Sequence, residues 1–191
     1  MNKFILDDIL GFAAYEKVRE QFRDDIIEKK KQRRVSVGDK VSLVFENRDT
    51  VIFQIQEMLR AEKITDLDKM REEIAVYNEL IPNPGELSAT LFLEIENQAN
   101  LREDLLQFLG LDKALSLTVG GDVVPGRFEE GHSKEDKISA VQYVRFALDS
   151  KARDALVNGE PAELVIDHPN YKARAPLAPG TRASLAQDLT N

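Results

Sequence analysis

Residues Glu86–Glu96, ELSATLFLEIE, alternate without a break. Leu87, Ala89, Leu91, Leu93 and Ile95 fall on one side, and Glu86, Ser88, Thr90, Phe92, Glu94 and Glu96 on the other. Side chains along an extended chain point to opposite faces in turn, so this segment reads as a β-strand with one apolar and one polar face. A fold that contains it needs a sheet with a core on one side. The breaker Ile81-Pro82-Asn83-Pro84-Gly85 isolates it from whatever precedes.

Other strands follow from the same signals. Gly38-Asp39 turns the chain into Lys40–Glu46, where Val41, Leu43 and Phe45 alternate. Ala114–Val119 and Val123–Val124 flank Gly120-Gly121-Asp122, a tight hairpin connection. Ser139–Leu148 and Ala162–Asp167 complete a set of about five, while Gly126–Lys137 reads as a charged loop. Helical spacing appears after Asp7, from Ala13 to about Arg34, from Asp49–Thr50 to about Lys63, and from Thr65–Asp66 to about Leu80. It returns at Leu101–Leu109, at Ser150–Asn158 (closed by Gly159) and from Gly180-Thr181 to Leu189. The expected architecture is a single α+β domain over residues 1–191, with a helical N-terminal third (1–35) packed on an antiparallel or mixed sheet. No Gly-rich strand-to-helix turn supports a doubly wound parallel fold.

Composition narrows the chemistry. The chain has no cysteine, which removes disulfides, thiolate nucleophiles, cysteine-bound zinc and iron–sulfur clusters. Net charge is −8, so a broad docking surface for nucleic acid or an anionic membrane is disfavoured. No stretch approaches the roughly 18 apolar residues that span a bilayer, and the N-terminus is not a secretory signal. These features fit a soluble protein of the cytoplasm. The basic run Lys29–Arg34 reads as a solvated helix end, because it lacks interleaved aromatic residues.

The chemically richest stretch is Phe45–Glu62, FENRDTVIFQIQEMLRAE, in which an apolar strand end runs into a helix. Thr50, Gln54, Glu57 and Ala61 share one helical line beside the apolar line Val51, Ile55 and Met58. Polar groups in such surroundings need partners. The candidate ligand-binding residues are Glu46, Arg48, Asp49, Gln54, Glu57, Arg60 and Glu86, with Ser88, Thr90 and Glu94 extending the surface if the two strands pair. Two readings stand: a small-molecule or metal site, or a structural network of ion pairs and hydrogen bonds that locks a helix to a sheet. The two histidines add little. His132 lies in the polar loop, and His168, before Pro169, reads as a turn residue. An all-oxygen magnesium or manganese site would draw on Glu46, Glu57, Glu86 or Glu94. No Gly-x-Ser-x-Gly elbow accompanies any serine, Tyr143 and Phe146 read as core or sheet-face residues, and no cofactor is indicated.

The strings RRVSVGDKVSLVFENRDTVIFQIQEMLRAEK, YNELIPNPGELSATLFLEIE, SAVQYVRF and VIDHPNYKARAPL resemble the bacterial domain-of-unknown-function family 3501 along nearly the whole chain. The resemblance implies little about activity. Similar proteins are often encoded near rubrerythrin-like di-iron proteins and iron–sulfur oxidoreductases, which implies a redox or oxidative-stress setting. The residues and the resemblance together lead us to expect a non-catalytic binding or accessory protein that recognises a small molecule or a protein partner through a polar Glu/Arg/Gln surface. The rival reading is a metal-assisted or carboxylate-dependent enzyme acting on a small molecule. A homo-oligomer joined through the AVQYVRF strand is a third, purely structural reading.

Overall fold

The computed structural model describes residues 1–95, 100–129, 133–134 and 137–190. A 3-10 turn at Leu6–Asp8 leads to α1 (Phe12–Arg33), β1 (Arg34–Val37), β2 (Val41–Glu46), α2 (Arg48–Ala61), α3 (Leu67–Asn78) and β3 (Glu86–Leu93). Then come α4 (Leu101–Leu106), a 3-10 turn at Leu111–Lys113, β4 (Leu115–Val119) and β5 (Asp122–Phe128). The short pair β6 (Ser133–Lys134) and β7 (Lys137–Ile138) precedes β8 (Val141–Ala147), α5 (Ser150–Val157), β9 (Ala162–His168), β10 (Tyr171–Pro176) and α6 (Pro179–Thr190).

Eight of these strands make one sheet in the order β1-β2-β3-β8-β5-β4-β9-β10, with every neighbouring pair antiparallel. The last strand returns beside the first, so the sheet is a nearly closed barrel. Leu43, Phe45, Leu87, Leu91, Leu117, Val144, Phe146 and Leu164 fill its interior, joined by Leu156 of α5 and Leu185 of α6. Much of the outer face of β2 and the middle of β3 does not meet water either. Helices α2 and α3 bring Val51, Ile55, Leu59 and Ile74 over it and, with Phe4, Leu80 and Ile81, form a second apolar cluster. The outward residues Glu46, Ser88 and Thr90 are therefore buried between two apolar layers.

Two devices set this geometry. At the barrel seam, the Tyr171 hydroxyl of β10 donates to the Val37 carbonyl (2.7 Å) and accepts from the Lys40 amide (3.0 Å), both in the β1–β2 hairpin. Gly38 lies between them at φ +76°, and a Cβ there would stand 2.2 Å from the Tyr171 oxygen. At the end of α1, Arg33 is 2% exposed. Its guanidinium donates to the Phe45 carbonyl (2.7 Å), the Glu46 carbonyl (3.2 Å), Ser184 Oγ (2.8 Å) and Asp188 Oδ2 (2.5 Å). Asn47, the N-cap of α2, reaches the other Asp188 oxygen at 3.2 Å.

Several expectations are corrected. The sheet has eight strands rather than about five, and helices α4, α5 and α6 lie outside the N-terminal third. The first helix stops at Arg33 because Val35 and Val37 alternate into the core as β1, paired on β2. β10 was hidden by Pro169 and by Lys172 and Arg174, whose charges are tolerated because its ladder runs only to β9. Part of the expected Gly126–Lys137 loop is the end of β5, while His132 lies outside the described residues, as does Glu96. The basic run is not all solvated: Arg33 is buried, and Lys29, Lys31 and Arg34 pair with Asp49, Glu28 and Glu94. Gly120-Gly121 forms the expected hairpin turn, with both glycines at positive φ. No helix among the described residues is long and apolar enough to cross a membrane.

Two stability predictions follow from these contacts. Arg33→Met leaves Asp188 a buried unpaired charge and is expected to cost about 3–5 kcal/mol in urea unfolding; adding Asp188→Leu recovers part of that loss. An additive double variant would refute the coupling. Gly38→Ala combines left-handed backbone strain with a collision against Tyr171 and is expected to cost roughly 2–4 kcal/mol. Gly85→Ala is the control, since its nearest contact stands at 3.7 Å and only the strain of φ +77° applies. Equal costs at the two glycines would disprove the close approach at the seam.

Candidate functional site

The register of the sheet puts Glu46, Ser88, Arg145 and Arg127 in one row across β2, β3, β8 and β5. Thr90 and Tyr143 form the adjoining row. Directly paired residues share a face, so this is a polar band on the outer side of the barrel. Its β2 end is closed by α2. Glu46, 3% exposed, accepts from Thr50 Oγ1 (2.5 Å) and Gln54 Nε2 (3.0 Å) on one oxygen and from Thr90 Oγ1 (2.6 Å) on the other. All three donors are neutral. Thr50 also accepts from the Asn47 amide (3.0 Å), so the helix cap and the buried carboxylate form one network.

At the β5 end the band opens into a cavity of about 150 Å³. Its walls are Ser88, Arg127, Phe128, Glu129, Tyr143, Val144 and Arg145 from the sheet, with Glu79 and Leu80 from the end of α3. Arg145 is anchored: it donates to Glu86 (3.1 Å), to the Ile81 carbonyl (3.5 Å) and to the Glu79 carbonyl. Cations suit the last carbonyls of a helix, so Arg145 fixes the end of α3 to the sheet. The Glu79 carboxylate pairs with Lys3 at 2.7 Å, which holds its carboxyl below the ordinary range. Burial, with the charges of Glu129 and Glu46 behind it, pushes the Tyr143 hydroxyl up, so it is a protonated donor at neutral pH. Ser88, 3% exposed, has no side-chain hydrogen-bond partner among the described residues, and neither has the exposed Arg127.

The residues expected to share one site are divided among several places. Glu46 and Gln54 are brought together, and Glu86 reaches the same band through Arg145. Glu57 faces α1, where both carboxylate oxygens meet Arg19 at 2.7 Å and Tyr15 donates at 2.8 Å. Arg60 pairs with Glu16, also on α1. Arg48 stacks on the Phe4 ring at 3.9 Å, bonds to the Asn2 carbonyl and faces Asp8; Asp49 pairs with Lys29. Glu94 bonds to Ser42 and Arg34 at the far end of β3. Among the described residues no group of three or more histidine, aspartate and glutamate side chains is arranged to hold a metal. His168 is buried, with one ring nitrogen 2.8 Å from the Leu109 carbonyl and the other accepting from the Asn170 amide at 3.2 Å, so both are occupied in a turn. Sequence reasoning missed Arg127, Tyr143 and Arg145. The available signal was Tyr143 and Arg145 alternating with Val144 and Phe146 in VQYVRFA, which marks a polar outward face.

The Glu57 cluster has a pH signature. The Arg19 guanidinium, and more weakly the Tyr15 hydroxyl, hold the Glu57 carboxyl below its ordinary 4.5, while burial pulls the other way. A depressed carboxyl stabilises the fold fully above its ordinary pKa, and this contribution fades as pH falls through the folded value. Glu57→Gln is therefore expected to lower Tm by a few degrees at pH 7, with the difference from wild type shrinking below pH 4.5. A difference independent of pH in thermal melts would refute the assignment.

The chain matches the family described as "Protein of unknown function (DUF3501)" over residues 3–189. No curated protein gives a significant match. A crystal structure of a protein of unknown function from Burkholderia pseudomallei K96243 is similar along 98% of this chain and 100% of its own, with 36% identity and a TM-score of 0.93. A match covering nearly every residue shows the kinship plainly: the chain belongs to the DUF3501 family.

Proposed function

We propose that the chain is a non-catalytic binding protein that takes a small molecule into the cavity between the end of α3 and the outer face of β3, β8 and β5. In the redox setting that the family resemblance implies, it acts as an accessory protein. The observation that carries this reading is Ser88: a residue 3% exposed that lines the cavity and whose hydroxyl has no hydrogen-bond partner among the described residues, so the cavity is what serves it. Buried polar groups are as a rule satisfied, and one that faces open space is served by a solvent or ligand atom. Glu46, Gln54 and Glu86, from the expected site, lie outside the cavity wall and support it by holding α2, β3 and β8 in place. Arg48, Asp49, Glu57 and Arg60 contribute by fixing α2 to α1 and to the N-terminal segment.

The wall chemistry favours recognition over turnover. Glu79 is committed to Lys3, Arg145 is held in a fixed position by Glu86 and the Glu79 carbonyl, and no histidine among the described residues lines the cavity. Its volume is well below the roughly 300–1,000 Å³ of sites for drug-sized ligands, so the occupant is a compact molecule.

A thermal-shift screen of small metabolites, nucleotides and metal salts tests this reading. At least one compound is expected to raise Tm of the wild type by about 2 °C or more when present far above its Kd. Ser88→Leu, which fills the cavity, is expected to abolish the shift. A full shift in Ser88→Leu, or none in the wild type, would sink the proposal; Ser88→Ala, which keeps the space, controls for folding.

A further inference from the structure

Resting on the small-molecule reading above, we infer that the pocket takes a compact anion, a carboxylate or an inorganic oxyanion, held by Arg127 and Arg145 with the Ser88 hydroxyl as third donor. The argument begins with register. Arg127 on β5 and Arg145 on β8 are directly paired, so both guanidinium stems leave the same face of adjacent strands. Like charges opposite one another across a strand pair are destabilising, and a protein that keeps them normally supplies counter-charge. Arg145 has Glu86 at 3.1 Å, whereas Arg127 has no ion-pair or hydrogen-bond partner among the described residues.

The rest of the pocket supplies further donors and sets the size. Ser88 follows Arg145 in the same row, so the three side chains leave one face of three consecutive strands and all line the cavity. Arginine forks suit the planar oxygens of a carboxylate or the faces of a phosphate or sulfate. Tyr143 also lines the cavity, and burial keeps its hydroxyl in the donor form. Glu79 turns its charge to Lys3, which removes one repulsive group from the mouth. Glu129, one residue past the end of β5, also lines the cavity. A cavity of about 150 Å³ holds an anion of a few heavy atoms with its attendant water.

The test is a nuclear magnetic resonance titration of the full chain at constant ionic strength in chloride. Acetate and inorganic phosphate serve as the anionic probes, against acetamide and choline chloride. The expected result is saturable binding of at least one anion, with shifts at Ser88, Tyr143 and Arg145. The acetate and phosphate arms show which oxyanion geometry the site prefers. Arg127→Ala is expected to weaken binding by about tenfold, the scale of one charge-assisted hydrogen bond. Because Arg127 is exposed and without a partner, this variant is expected to retain the wild-type Tm in anion-free buffer to within about 1 °C. Anion binding unaffected by Arg127→Ala would overturn the inference. Saturable binding of acetamide or choline without any anion would overturn it too, while leaving the pocket itself standing. No saturable response to any of the four probes would end the anion assignment, and the wider thermal-shift screen would then decide whether a pocket remains.

Discussion

The arrangement depends most on a single buried cation. Arg33 ends α1, yet its guanidinium is spent on the carbonyls of Phe45 and Glu46, the last two residues of β2, and on Ser184 and Asp188 of α6. It thus ties together a helix from the start of the chain, a strand end and a helix from the end of the chain. Removing charges from water is costly, and a buried ion pair of this kind is weak evidence for net stability. Its effect is positional. An arginine with several fixed acceptors has few other places to sit, so the strand end and both helices are locked in one arrangement. Asn47 joins the same knot through Asp188 while capping α2, so the helix that covers the polar band starts where Arg33 has fixed the backbone.

From that point the chemistry of the outer face follows. Glu46 leaves the pinned strand end and enters a layer with apolar clusters on both sides. A carboxylate there needs donors, and it receives three neutral ones from α2 and β3 rather than a cation. The cations in the row are two and three strands away, at Arg145 and Arg127. Along the row the acidic residue therefore sits at β2 and the two arginines at β8 and β5, and the cavity lies at the arginine end. Without α2 and α3 the same residues would face solvent and their charges would be screened.

Much of the fold was legible in the chain. The alternation of Glu86–Glu96 gave the correct inward set, Leu87 to Leu93, and the turn glycines gave the β4–β5 hairpin. β1 and β10 were lost for physical reasons. β1 is four residues long and continues a basic run that suits a helix end, and β10 carries alanines between charges. At the site, Glu46 and Gln54 were read as neighbours because strand end and helix are contiguous in sequence. Helical spacing also put Glu57 on that line, but α1 packs against the other flank of α2 and takes it. Arg127 and Arg145 could not be paired from sequence, since β5 and β8 are neighbours only through a register that no local pattern encodes.

The N-terminal segment braces the wall of the cavity from outside, through Glu79. Asn78 accepts from the Phe4 amide at 2.7 Å and donates to the Phe4 carbonyl at 2.9 Å; Gln56 does the same for Leu10 at 2.8 and 3.1 Å. Each amide side chain imitates a strand partner for one residue, so residues 4–10 are strapped across α2 and α3 without forming a sheet. Lys3 then reaches Glu79, whose carbonyl is already held by Arg145. The end of α3 is thereby clamped from the outside by the strap and from the inside by the sheet. A pocket this small gains selectivity from rigidity, because a shift of an ångström at one wall changes which anion fits.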